Sequence, residues 1–566
     1  MNHRRWNLLP VVPSRHVDNI FGYSPLIIQL LYNRGITELS QIISFFSMDE
    51  KSSSNPFLLP DMQQAVSRIY RALLSGENIA VYGDYDADGI AGTALLVKGL
   101  SYLGGNVIPY IPHRLTEGYG LKTTALKELH QQNISLVITV DCGITDLSQV
   151  KQANRMGLDV IITDHHNPLP EIPPAIASVN PKRTDSIYPF SELSGTGVAY
   201  KLLQALFQSL GKEEKLMAFL DLVALGTIAD MTPLVSENRY LVKQGLKLIN
   251  NHSPLWITEL MAQTGYNGDN LDEESFSWVL APRINAAGRL AHAMNSYKLL
   301  MSESPEEARQ LAIWLEEKNV ERQKLTIKFL NQAREQILSR EFPPLLIASD
   351  HDYPVGIIGL IAGRLTEEFY RPTIAIRTGE LNSTGSCRSI PEFNIIHALN
   401  QCRSLLSHFG GHSQAAGFTL PTKNLAQFNQ QLSQLATLQL AKVDLRPQLN
   451  IDTEITLDNL GGDTFQNIQQ LTPFGHGNPI PIFLSKQVEV INCRSMGSNG
   501  DHLRIKLKQG NSIWDGVAFK LGSFRNDVAT PLDIVYNLAI DRWQAVEKLR
   551  LNILDFKQSF SNNLQR

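Results

Sequence analysis

Between residues 57 and 163 short apolar runs alternate with helix-forming segments, and this alternation constrains the fold more than any other feature of the chain. Residues 61–74 have an amphipathic helical pattern. Residues 78–82, 107–111, 135–140 and 158–163 read as strands, with helices over 89–103, 123–131 and 145–156 between them. Apolar runs of this length separated by helices build a parallel sheet covered on both faces. The expected fold class is therefore α/β, with further helix over 197–229 and 272–300. Residues 303–340 are charged, lack Gly and carry Pro305 near their start, so one long helix bridging two domains is predicted. At Pro343 the helix–strand alternation resumes, giving a second α/β domain to about residue 440. From 445 to 560 short strands recur between turn residues, the pattern of a small β-barrel. Residues 1–55 read as a short helical segment, with a polar linker over 49–56.

Acidic residues gather at the ends of the predicted strands. Asp84, Asp86 and Asp88 lie in five residues between a strand and a helix, bracketed by Gly83 and Gly89. Three adjacent carboxylates repel one another unless cations neutralise them. A solvated loop or a calcium loop is the plain alternative. An EF-hand is disfavoured by the buried strand leading in and by Leu95 at loop position 12. Asp141 ends another strand, with Gly143 just after it. A lone Asp in that position is normally a helix cap. Asp164-His165-His166 follows a third strand, and two imidazoles beside a carboxylate suit a metal site. Asp230 ends a small-residue helix, where the helix dipole disfavours an anion without a nearby cation. Together these groups predict a binuclear site. Carboxylate and imidazole without thiolate favours Mn²⁺ or Mg²⁺ over zinc, and two such ions suit phosphate-ester hydrolysis.

Composition narrows the alternatives. The 566 residues are enough for several domains, and 43% of them are hydrophobic. Lys and Arg number 51 against 55 Asp and Glu, a net charge of −4, so any nucleic-acid binding must be local. The four cysteines form no CxxC pair, which removes a zinc ribbon and a disulfide framework. No apolar run reaches about 18 residues, and the start lacks a secretory signal, so the expected location is cytoplasmic, away from membranes.

These motifs resemble motifs I to IV of the DHH phosphoesterase superfamily. Gly410-Gly-His-Ser-Gln-Ala-Ala-Gly417 resembles the GGH signature of the associated DHHA1 domain. Gly385-Ser-Cys-Arg-Ser389 and Pro473-Phe-Gly-His-Gly-Asn-Pro479 are similar to segments of the RecJ branch. The resemblance runs in order along nearly the whole chain. It implies a DHH domain over 56–302, a connecting helix over 303–340, a DHHA1 domain over 341–440 and an OB fold over 445–560, with DHH and DHHA1 flanking a cleft.

The resemblance also implies roles. Asp86, Asp88, Asp141, His165 and Asp230 ligate two Mn²⁺ or Mg²⁺ ions, with Asp141 as the bridge. Asp84 is a ligand or a nearby base, and His166 contacts the scissile phosphate. Arg114 and Arg289 contact phosphates. Ser386 and Arg388 form a pocket for a 5′-terminal phosphate, and His412 lies near the nucleic acid. The implied activity is a 5′→3′ exonuclease specific for single-stranded DNA, releasing 5′-mononucleotides in recombination, recombinational repair and mismatch repair. Implied partners are single-stranded DNA-binding protein and a RecQ-type helicase, and the chain is expected to act as a monomer. Trp514, Phe519, Arg504, Lys506 and Lys508 are candidate strand contacts on the barrel. The sequence departs from the family pattern at Val355, Cys387 and Ile480. Two alternatives remain within the superfamily: hydrolysis of oligonucleotides or cyclic dinucleotides, and a replication scaffold that has lost its metals. The filled acidic and imidazole positions speak against the scaffold.

Overall fold

The computed structural model describes residues 4–17, 20, 22–47, 52–266, 270–339, 342–497, 499–541 and 548–559. The first part of the expected linker, the last residue of the expected connecting helix and the end of the expected barrel domain fall outside these residues. The chain divides into two compact units. One comprises residues 53–232 and 237–445, the other 1–52, 233–236 and 446–566.

In the first unit a five-stranded parallel sheet forms from β1 (Asn78–Gly83), β2 (Asn106–Tyr110), β3 (Ile134–Val140), β4 (Asp159–Thr163) and β5 (Ala177–Val179), in the order β2-β1-β3-β4-β5. Ile79, Ala80, Val81 and Tyr82 are all buried, as a central parallel strand covered on both faces requires. Chain order reverses between β1 and β3, the position where open α/β sheets place a ligand crevice. The helix α1 (Ala87–Tyr102) leaves this point and packs against α2 (Gly195–Ser209) and α3 (Leu220–Ala229). Its small residues permit the approach: a Cβ on Gly92 would lie 2.5 Å from a Val140 methyl, and one on Gly99 would lie 2.4 Å from Leu203.

Helix α4 (Ala281–Leu290) leads to the 34-residue α5 (Pro305–Leu338), whose first turn is capped by the Ser304 hydroxyl accepting from Glu307 N–H. The helix buries Ala308, Ala312 and Leu315 near its start and Phe329, Ala333 and Ile337 near its end. The second group joins the core beneath β6 (Leu346–Asp350), so one helix serves two hydrophobic cores. The second sheet adds α6 (Ile358–Phe369), β7 (Thr373–Arg377), β8 (Asn382–Arg388), β9 (His408–Gly411) and β10 (Ala415–Pro421), in the order β9-β10-β8-β7-β6. Only β6 and β7 pair in parallel, and the rest of the sheet is antiparallel. The renewed alternation after Pro343 therefore ends at β7, where the short connection 378–381 leads to antiparallel β8 in place of the crossover helix that a parallel partner needs.

The second unit is built on β11 (Phe483–Met496), β12 (His502–Gln509), β13 (Ser512–Ala518), β14 (Leu532–Asp541) and β15 (Lys548–Gln558). Pairing runs β11-β12-β13-β15-β14 and back to β11, closing a five-stranded barrel consistent with an OB fold. Helices Pro25–Asn33 and Leu39–Phe46 pack Ile27, Leu30, Leu31 and Ile42 into the same core. The N-terminal segment is not wholly helical: Arg5–Leu8 is a strand paired in parallel with Gln448–Ile451. The Pro473–Pro479 segment is a structural joint here. Buried Asn478 donates to the Leu471 and Pro473 carbonyls and accepts from Arg34 Nε at 2.8 Å. Among the described residues no helix is long and apolar enough to cross a membrane.

Candidate metal centre and phosphate pocket

Three neighbouring strand ends place the acids side by side. Gly83 pairs with Val140 and Val140 with Thr163, so Asp84, Asp141 and Asp164 follow in register. Backbone bonds carry the ladder one step further: Asp84 N–H donates to Val140 O, and Asp141 N–H to Thr163 O. Asp141 has a φ of 61°, a left-handed conformation that turns the chain sharply at the strand end. Beyond β1, Asp86 caps α1 by accepting from the N–H groups of Asp88 and Gly89. A Cβ at Gly89 would lie 2.6 Å from the Asp84 backbone, so only glycine lets the acidic loop fold this tightly.

These side chains form linked clusters. Asp84, Asp86 and Asp141 can each offer a ligand atom within 4.8 Å of the others, as can Asp88, His165 and Asp230, and Asp141, His165 and His166. His165 Nε2 lies 3.0 Å from Asp141 and 3.7 Å from Asp230. Asp88 accepts from the N–H groups of Gly195 and Thr196 at the start of α2. The donor set fits divalent cations. Buried Asp84 Oδ1 and Asp141 Oδ1 make no aligned hydrogen bond in the protein, the 3.0 Å approach of His165 Nε2 included, which burial makes costly without a cation. Burial, and then neighbouring carboxylates, push Asp84 and Asp141 well above the usual carboxylate range, Asp88 to about 6 and Asp230 to about 9. Burial depresses His165 to about 3, leaving it the neutral imidazole a metal requires.

Asp164, which the sequence reading left without a role, holds His166. Its carboxylate accepts from Ile144 N–H, from the N–H groups of both histidines, and lies 2.8 Å from His166 Nδ1. Burial alone would raise the Asp164 carboxyl, but the bond and charge of His166 hold it down at about 2. Burial alone would lower His166, yet Asp164 keeps it protonated up to about 9. Tyr119 was also missed: its hydroxyl lies 3.1 Å from His166 Nδ1 and donates to the Asp141 carbonyl. With Nδ1 so engaged, Nε2 is the ring nitrogen left for a ligand. His412, in the turn after β9, lies with its ring 6.4 Å from His166 and nearly parallel, so the second sheet reaches the first at this point. Gly411 before it has a φ of 139°, and a Cβ there would meet the Ala415 carbonyl at 2.4 Å.

A set of guanidiniums adjoins the acids. Arg114 acts electrostatically on Asp84, and Asp86 on Arg289. Burial, followed by the charges of Arg114, Arg322 and Arg388, pushes Arg289 down to about 9. Arg388 lies 3.4 Å from Ser386 Oγ, and a Cβ on Gly359 would come within 3.1 Å of that hydroxyl and 3.3 Å of the guanidinium. Among the described residues none of Arg114, Arg289 or Arg388 has a carboxylate within ion-pair distance. Arg322, on the long helix α5, acts electrostatically on Arg289 and is a further cation that the sequence reading did not single out. On the barrel, half-buried Trp514 packs against the core and donates to Leu457 O. Phe519 is exposed, while Arg504 and Lys508 have carboxylate neighbours, Asp515 at 3.9 Å and Glu489 at 3.8 Å.

Three family models match the chain: the DHH family, N-terminal domain, over residues 78–227, the DHHA1 domain over 342–437, and the RecJ OB domain over 451–555. The single-stranded-DNA-specific exonuclease RecJ of Haemophilus influenzae is 30% identical over 559 residues, covering 94% of this chain and 96% of its own length. The chain belongs to the RecJ family. RecJ of Bacillus subtilis is 35% identical over 94% of this chain, and RecJ of Thermus thermophilus 35% identical over 80%. The chain spans 68% and 65% of those two relatives, which are longer. A crystal structure of Thermus thermophilus RecJ in complex with Mn²⁺ superposes with a TM-score of 0.83 at 29% identity, covering 98% of this chain and 80% of that one. Another describes the same RecJ in complex with Mg²⁺.

The acids predict a pH dependence for the RecJ fold without metal. The folded Asp230 carboxyl keeps its proton to about pH 9, whereas the unfolded one loses it near 4. Folded His166 likewise keeps its proton to about 9, against about 6.5 unfolded. Between pH 6.5 and 9 the folded state binds more protons, so stability must fall as pH rises. The melting temperature of chelator-treated protein is expected to drop across this window. Saturating Mn²⁺ should flatten the decline, because metal binding favours the ionised carboxylates. An unchanged slope with Mn²⁺ would place the ion elsewhere.

Proposed function

We propose that this chain degrades single-stranded DNA from its 5′ end by two-metal hydrolysis, releasing 5′-mononucleotides. The chain is a metal-dependent exonuclease of the RecJ family. The observation that carries the finer reading is the group of guanidiniums without carboxylate partners beside the acidic cluster. A strand's terminal phosphate would neutralise Arg114, Arg289 and Arg388, with Ser386 as a further donor. The next phosphodiester would then lie toward the acids.

Asp86, Asp88, Asp141, His165 and Asp230 would hold the ions, with Asp141 shared and Asp84 close enough to ligate or to accept a proton. Two Mn²⁺ or Mg²⁺ ions bound there would activate water and neutralise phosphate charge. Protonated His166, fixed through Nδ1 by Asp164 and Tyr119, would donate from Nε2 to a phosphate oxygen. Water adds to phosphorus and the bond to the 3′ oxygen breaks. The departing nucleotide keeps its 5′ phosphate, and the shortened strand gains a new one. Each turnover thus regenerates an end that fits the guanidinium pocket. His412 would lie against the same phosphate region.

The same reading assigns the chemistry to residues 56–302, the connection to 303–340, the end-binding lobe to 341–440 and strand retention to the barrel over 445–560. It implies a cytoplasmic monomer acting in recombination, recombinational repair and mismatch repair, with single-stranded DNA-binding protein and a RecQ-type helicase as partners. The test is a polarity assay on strands labelled at either end, single or duplex, with and without a 5′ phosphate. Early release of the 5′ label as mononucleotide, with duplex resistant, is expected. Arg388→Ala should raise KM for the 5′-phosphorylated strand roughly 10- to 100-fold. Release from the 3′ end, or turnover of cyclic dinucleotides alone, would contradict the reading.

A further inference from the structure

We propose that Tyr85 sets the preference for a phosphorylated 5′ end by holding Arg114 in the guanidinium pocket. The inference rests on the terminal-phosphate reading above and deepens it. Arg114 lies in an irregular loop between β2 and the helix Thr123–Gln131. A long side chain on such a loop loses much rotamer freedom when a ligand fixes it. It has no ion-pair partner among the described residues. What it does have is an aromatic face: the guanidinium carbon sits 4.8 Å from the centroid of the Tyr85 ring. At that distance a guanidinium is attracted by the ring's electron density, and a contact with the ring face restrains the fork without using any of its five N–H donors.

The platform itself is fixed. Tyr85 stands between Asp84 and Asp86, and the stretch from Tyr85 to Ala87 is held against α4 at two points. Asn285 Oδ1 accepts from Ala87 N–H at 2.9 Å. Gly288 approaches so closely that a Cβ would lie 2.6 Å from the Tyr85 carbonyl oxygen. The next residue on α4 is Arg289, another member of the pocket. One short strip of α4 therefore fixes the ring that orients Arg114 and also carries Arg289. Tyr85 acts through Arg114 and is a positioning residue. An aliphatic side chain would leave Arg114 to be ordered by the phosphate itself, at a cost in affinity for that end only.

The test is steady-state kinetics on 5′-phosphorylated and 5′-hydroxyl single strands, with Mn²⁺ affinity measured by calorimetry on the full chain. Tyr85→Leu is expected to reduce the preference for the phosphorylated strand between about 2- and 30-fold, through KM, with Mn²⁺ affinity unchanged. Tyr85→Phe, which keeps the ring face, should retain the preference. In an Arg114→Ala background, Tyr85→Leu should have no further effect on it. Tyr85→Met serves the same purpose if the Leu variant does not fold. Equal losses on both strands, a Phe variant that behaves like Leu, or full additivity with Arg114→Ala would overturn the role of Tyr85 while leaving the pocket intact. A wild-type enzyme that does not distinguish the two ends would overturn the pocket, and this inference with it.

Discussion

Asp141→Asn is expected to lower turnover by on the order of a thousandfold or more in Mn²⁺, while making the metal-free protein more stable. Both effects have one cause. Asp141 is buried, its Oδ1 has no hydrogen-bond donor, and it is surrounded by Asp84, Asp86, Asp88 and Asp230. Without a cation that arrangement is repulsive, and an amide of the same shape relieves it. With cations the same carboxylate is, among the described residues, the one shared by two of the clusters, so its loss should weaken both ion positions together. The amide preserves the turn at φ 61°, because Asn tolerates the left-handed region as Asp does. Turnover in Mn²⁺ above about a tenth of wild type, or a fall in metal-free melting temperature, would show that Asp141 has another role.

His166→Asn should lower kcat by roughly 10²- to 10³-fold with little change in Mn²⁺ affinity. The Asn amide can still donate toward Asp164, so the buried carboxylate keeps a partner, but nothing reaches where Nε2 was. Its neighbour His165 faces Asp141 and Asp230 with Nε2, whereas His166 is turned by Asp164 and Tyr119. On the proposed reading the two adjacent imidazoles divide the work, one toward metal and one toward substrate. A loss of Mn²⁺ affinity beyond about tenfold in His166→Asn would make His166 a ligand and remove that division.

The central strands β1, β3 and β4 were legible because they are buried and read as unbroken apolar runs, whereas the three-residue edge strand β5 was too short to register. The acids at their ends stood out for the same reason: a charge directly after such a run has few structural uses. What the pattern did not carry was conformation. Nothing in Val140-Asp141-Cys142 announces a left-handed residue. The part played by Asp164 was available in principle, since a carboxylate two residues before an imidazole can bond back to it. Tyr119 and Tyr85 lie in loops, where periodicity says nothing about contacts. In the second lobe, strand–helix alternation stopped at β7, and the antiparallel strand that carries Ser386 and Arg388 and the turn that carries His412 followed a different rule. On the barrel, β14 sets Leu532, Ile534, Tyr536 and Leu538 into the core at every second position. Val535 is buried on the outer side against Leu449, Ile451 and Leu484, while Ile534 and Tyr536 fill the interior. Trp514, read as a possible stacking surface, belongs to the edge of that interior.

Anomalous scattering from crystals grown with Mn²⁺ addresses the metal centre most directly. Two manganese peaks are expected roughly 3.5–4 Å apart, among Asp84, Asp86, Asp88, Asp141, His165 and Asp230, and both should weaken in Asp141→Asn. Peaks only at an unrelated group, such as the exposed Asp350-His351-Asp352 triplet, or an ordered cluster of acids with no manganese among them, would contradict the binuclear centre and the hydrolytic chemistry built on it.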